Sequence, residues 1–154
     1  MPEGDLTLDR SARELLEVEI SEVCGRLPDP ARASFARLAD AVAAGAVPAD
    51  CLPLLEQVLA MGLETGRIER VHGRAADTLA RGLYLRTPTG MARSQQARGV
   101  SEALAALSGA TLTQLTITAD GPSAHRLLLE TDRGEVLLRL DRDGARVQSV
   151  AVDL

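Results

Sequence analysis

Two histidines, two cysteines, one serine and a set of arginines are the side chains whose types and spacing invite a chemical reading. His72 and His125 are the only histidines, and acid–base work near neutral pH needs an imidazole with an orienting partner. Asp77 lies five residues past His72, off its face of a regular helix, so that pair is not expected. His125 shares a strand face with Leu127 and Leu129, which reads as a packed or edge histidine. Ser123 stands in Gly121-Pro122-Ser123-Ala124-His125, a near miss to a nucleophile elbow. The elbow needs Gly at the position of His125 and a strand-to-helix turn, whereas the surroundings here are strand to strand. Cys24 and Cys51 are far apart, with no zinc-type ligand spacing, and read as small apolar residues in reduced surroundings. No catalytic set emerges. The chain is expected to be non-enzymatic and to hold neither metal nor cofactor.

All 17 basic residues are arginine. The absence of lysine excludes a Walker-type phosphate loop and Schiff-base or pyridoxal chemistry, each of which requires the lysine amine. Between Glu64 and Gly99 seven arginines face only Glu64, Glu69 and Asp77. If Arg67 to Tyr84 is one helix, Arg67, Arg70, Arg74 and Arg81 fall on one face at three- and four-residue steps, although Gly73 is placed to split it. Such a stripe suits an acidic protein partner, a second subunit or phosphate. A net charge of −5 and only two aromatics, Phe35 and Tyr84, disfavour nucleic acid. The plainer reading is a solvated face whose arginines pair with acids of the first helix; from Met1 to Asp29 there are eight acids against three arginines.

These residues must be positioned by elements of two kinds, because the hydrophobic periodicity changes at Gly109. Upstream, apolar residues recur at helical spacing. Residues 1–9 read as a frayed lead-in, followed by a helix over Ser11 to Cys24 stopped by Gly25 and Pro28. A second helix has Asp29 as N-cap, Pro30 at its first position and Gly45 as stop; a third covers Cys51 to Glu64 with Asp50 as cap. Thr87-Pro88-Thr89-Gly90 breaks the pattern after Tyr84, and a further helix is expected over Ala92 to Leu107.

Downstream, four short runs, about Leu112–Ala119, Ala124–Thr131, Glu135–Asp141 and Arg146–Val152, are separated by Gly-containing turns. Connections this short force an antiparallel meander. Leu127 and Leu129 oppose Leu128, and Val136, Leu138 and Leu140 oppose Leu137, so both faces carry leucine. That predicts cover on the second face, from the N-terminal helices or from an identical subunit.

The fold expected is α+β, one compact domain with two lobes: an N-terminal helical region of four to five helices over residues 1–90, then, over 91–154, a four-stranded antiparallel meander with a helix packed across it. In outline, a helix leading into a curved four-stranded meander resembles the wrap of cystatins and nuclear transport factors. Those shapes host binding proteins, dimerisation modules and enzymes alike. The functional expectation is a bacterial-type interaction module that forms a homodimer through a sheet face. The alternative is a small-molecule or enzymatic pocket between helix and sheet, reached by His72, Tyr84 or His125. A third reading is a nucleic-acid accessory protein using the arginine stripe. An acidic N-terminus without a signal-like apolar run, and no apolar stretch of membrane length, point to a cytoplasmic protein that does not engage a membrane.

Overall fold

A computed structural model describes residues 4–152. The chain divides into two compact units, Met1–Met91 and Ala92–Leu154.

In the first unit, β1 (Leu6–Thr7) pairs antiparallel with β2 (Ala46–Val47), Leu6 opposite Val47. The lead-in is therefore not frayed from Leu6 onward: Leu6 and Leu8 are buried, and the Leu8 amide donates to the Gly45 carbonyl at 2.9 Å. Residues 1–3 of that expectation lie outside the described residues. Helix α1 (Arg10–Arg26) starts one residue after Asp9, whose carboxylate accepts from the Ala12 amide at 2.8 Å. It runs through Gly25 and stops ahead of Pro28, because proline disfavours helical geometry in the residue before it.

Helix α2 (Asp29–Ala44) begins at the expected cap itself, one residue ahead of Pro30, and the capping position falls to Pro28. Asp29 lies inside the first turn and makes no capping bond, while Gly45 ends the helix in the left-handed region at φ 86°. Helix α3 (Leu52–Glu64) follows a 3₁₀ turn at Ala49–Cys51, and Asp50 pairs with Arg37 instead of capping. The expected helix from Arg67 to Tyr84 is two, α4 (Arg67–His72) and α5 (Arg74–Tyr84), divided at Gly73. At φ 87° and ψ 173° that residue adopts a conformation open in practice only to glycine.

Helix α6 (Pro88–Ala105) starts four residues ahead of the expected Ala92. The Thr-Pro-Thr-Gly break both ends α5 and begins α6. The Thr87 hydroxyl accepts from the Gly90 amide at 3.3 Å, Pro88 occupies the first helical position, and Glu56 accepts from the amide and hydroxyl of Thr89, each at 2.8 Å. Gly90 is dictated by packing, since a Cβ there would lie 1.8 Å from the Tyr84 carbonyl oxygen. The core of this unit is built from all five helices, around Leu16 and Ile20 of α1, Leu38 of α2, Leu55 and Leu59 of α3, Ile68 of α4 and Leu83 of α5.

In the second unit α6 packs on a four-stranded antiparallel sheet of order β3-β4-β5-β6: β3 Leu112–Ala119, β4 His125–Thr131, β5 Gly134–Asp141 and β6 Gly144–Val152. The α+β class and the meander are as the turn spacing requires. Val100 and Ala103 of α6, with Leu107 just after it, lie against Val136 and Leu138.

Register organises the two faces. On the helix side, cross-strand rows run Leu115–Leu129–Val136–Val150 and Ile117–Leu127–Leu138–Val147. On the other side they run Gln114–Glu130–Glu135–Ala151, Thr116–Leu128–Leu137–Ser149, and Thr118–Arg126–Arg139–Arg146.

The expectation of two dry faces is therefore corrected. Leu128 and Leu137 are a single opposed pair, half-buried between exposed polar rows. Such a pair stabilises the sheet locally by cross-strand contact and needs no covering layer. The apolar excess lies instead on the helix side.

Candidate functional site

The first feature that could act on a partner is that helix-side face. Each of its two rows is four aliphatic residues wide, and α6 covers only the middle. Val136 and Leu138 on β5 are 0% and 4% exposed, and Leu127 and Leu129 on β4 are half-buried. At the edges Leu115 and Ile117 on β3 are 58% and 62% exposed, with Leu112 beside them, and Val147, Val150 and Val152 on β6 are also exposed. A helix is about 10 Å across and adjacent strands are about 4.8 Å apart, so one helix shields roughly two strands. The two outer flanks are the geometric remainder.

The second feature is a buried ion cluster in the helical unit. Glu19 of α1 is 3% exposed, and its carboxylate accepts from the Arg67 guanidinium and lies 2.8 Å from His72 Nε2. Arg67 also reaches Glu22 at 3.6 Å. Burying a carboxylate is costly unless it is paired and hydrogen-bonded, and α4 supplies both partners from its two ends. Gly62 of α3 makes room: a Cβ there would fall 2.6 Å from Ile68 Cδ1 and 3.2 Å from Glu19 Oε2. Beside the cluster is a cavity of about 220 Å³, lined by Glu19, Val58, Met61, Arg67 and Arg70 among others.

A third feature is the arginine row on the polar sheet face. Asp120 pairs with Arg126 at 2.8 Å and Arg139 at 3.3 Å, and Asp141 with Arg139 at 3.3 Å and Arg146 at 2.6 Å. The Arg146 hydrogen bond is the main influence holding the Asp141 carboxyl below its ordinary range. Three like charges in adjacent strands repel, and the two aspartates bridge them.

No family model, curated protein or solved structure matches this chain.

The residues singled out from sequence distribute among them unevenly. Arg67 and His72 converge on Glu19, so His72 takes its carboxylate from α1, 53 residues away, and not from Asp77. Asp77 pairs with Arg81 at 2.7 Å, a hydrogen bond that raises the arginine further above its usual range. Arg74 is exposed and lies 3.7 Å from Glu69. Arg70 is exposed at the cavity wall. With α4 and α5 broken at Gly73, the four arginines do not form one continuous helical stripe. Tyr84 is half-buried against the first unit's core, and His125 is exposed at the start of β4 in the other unit. Cys24 and Cys51 are free thiols, and burial pushes Cys51 up. Among the described residues no group of three His, Cys, Asp or Glu is placed to hold a metal ion, and no helix is long and apolar enough to cross a membrane.

Glu19, Asp120 and Asp141 were missed as site residues, yet a signal existed for each. Glu19 continues the buried stripe of α1, set by Ala12, Leu15, Leu16 and Ile20. An acid on a core stripe implies a buried cation elsewhere in the fold. The arginine row follows once the hairpin turns fix the register.

Proposed function

We propose that the chain is a non-catalytic interaction module whose C-terminal unit binds a second copy of itself, forming a homodimer through the uncovered flanks of the helix-side sheet face. The observation that carries this reading is the pair of four-residue aliphatic rows with cover over their centre only. Exposed aliphatic residues are ordinary singly, but a line of them along an unpaired strand is a template for association. Charge favours self-pairing at β3 despite the net charge of −5, because that strand carries no ionisable residue. The few exposed aliphatic residues of each flank fall short of the roughly 20–30 residues a side of a stable complex, so the dissociation constant is expected at roughly 0.01–1 mM. Gel filtration at about 0.5 mM, well within that range, tests it: Ile117→Asp should elute as a monomer and wild type earlier. Identical elution of the two would overturn the reading.

A second reading, a small-molecule site, is favoured by the cavity beside Glu19. Arg26, Arg67 and Arg70 outnumber Glu19 and Glu22 on its wall, and Val58 and Met61 give it an apolar side, which suits a small organic anion held chiefly by Arg70. Titration with benzoate, followed by amide shifts of α3 and α4 and repeated with Arg70→Ala, supports this reading if saturable shifts vanish in the variant. Unmoved spectra at tens of millimolar benzoate, well above any useful affinity, would dismiss it.

A further inference from the structure

We infer that β3 is the joining edge: two copies pair β3 to β3, antiparallel, about a two-fold axis at Thr116, making one continuous eight-stranded sheet. This deepens the self-association reading and rests on it. The sheet has two free edges, and they are not equivalent. Natural edges are guarded by charge, proline or a bulge. β6 carries Arg146, held by Asp141 and Asp143, and its register shifts in mid-strand, between the partners of Leu137 and Leu138. On β3 the shift falls at the start, between Leu112 and Gln114, and Gln114 to Ala119 then pair with β4 residue for residue. All eight residues of β3 are uncharged, none is proline, and its aliphatic side chains are more exposed than those of β6.

The axis position follows from the pleat. Residues directly opposite in an antiparallel pair share a face, so a two-fold axis must pass through a residue and not between two. An axis at Thr116 sets Leu115 against Ile117 of the second copy and Ile117 against its Leu115, with threonine facing threonine and Gln114 facing Thr118. An axis at Leu115 or Ile117 sets only one exposed aliphatic residue against its own copy and leaves the other opposite Thr113 or Ala119. Thr116 is the register that joins both. It also keeps the two α6 helices on the same side of the combined sheet.

Amide hydrogen exchange of the full chain between 10 µM and 1 mM, read with sedimentation, tests the inference. β3 amides should gain protection with concentration while β6 amides do not. Thr116→Lys places two ammonium groups opposite each other on the polar face and should weaken dimerisation at least tenfold, whereas Thr116→Ser should not. In a Cys24→Ser background, oxidation of Thr116→Cys should link two chains and Thr118→Cys should not. A dimer whose β3 amides stay unprotected, or one that Thr116→Lys leaves intact, overturns the edge assignment and spares self-association. A chain that is monomeric at 1 mM overturns both.

Discussion

The helical unit and the sheet unit solve the same problem to different degrees. Among its described residues the first surrounds a core of eighteen buried residues and pairs the buried Glu19 with cations from α4. Among the described residues the second has just Leu107, Val136 and Leu138 buried in its core cluster, and it contains seven of the exposed large aliphatic residues. A unit of about 60 residues buries only some 60% of the surface that its unfolded chain exposes. One helix across four strands leaves that shortage visible at the edges. A partner is therefore to be sought on the unit whose apolar pattern runs past its own cover.

The largest loss of stability is expected at Glu19. Arg67→Ala leaves a buried carboxylate with His72 as its remaining partner and should cost about 3 kcal/mol, measured by denaturant unfolding. Amide exchange should show the loss in the helical unit; a loss of less than about 0.5 kcal/mol, the size of an ordinary surface substitution, would mean that the cluster is not structural. Gly62→Ala comes next. Its new methyl must displace Ile68, at an overpacking cost of about 1–3 kcal/mol, and an unchanged melting temperature would contradict the close approach.

In the sheet unit the expected effects are smaller and depend on concentration. A second copy that binds only the folded chain raises its apparent stability by mass action, so the sheet's thermal midpoint should climb between 10 µM and 1 mM and that of Ile117→Asp should not. Equal slopes for the two would deny the link between association and that flank. The smallest effect is at Asp141. Its carboxyl is depressed, chiefly by Arg146, so its contribution is fully present above the ordinary value of about 3.9 and is lost as pH falls through the depressed one. Asp141→Asn should flatten the acid side of the sheet's stability profile, followed by circular dichroism below pH 4.

Much of the architecture was legible because local rules dominate it. Turn sequences at Asp120-Gly121 and Asp132-Arg133-Gly134 dictated the meander, and Gly45 ended α2 where its backbone angle requires. Boundaries moved where tertiary contacts overrode local signals. Asp50 turned from capping to Arg37, and α6 began at Pro88 because Thr87 and Glu56 complete its first turn. The candidate sites were less legible. His72 has no partner within its own segment because its carboxylate comes from α1, and alternation along a single strand does not distinguish a continuous apolar face from an isolated pair. Only register across strands shows that Leu128 and Leu137 are one isolated pair, while Leu115, Ile117, Val147 and Val150 extend a real apolar face.

Self-association through the sheet unit is decided by sedimentation equilibrium of the wild-type chain over a concentration series reaching 1 mM. Partial cover of the helix-side face predicts an average mass that rises from 16.3 kDa toward twice that value. A mass that stays at 16.3 kDa throughout the series would contradict it.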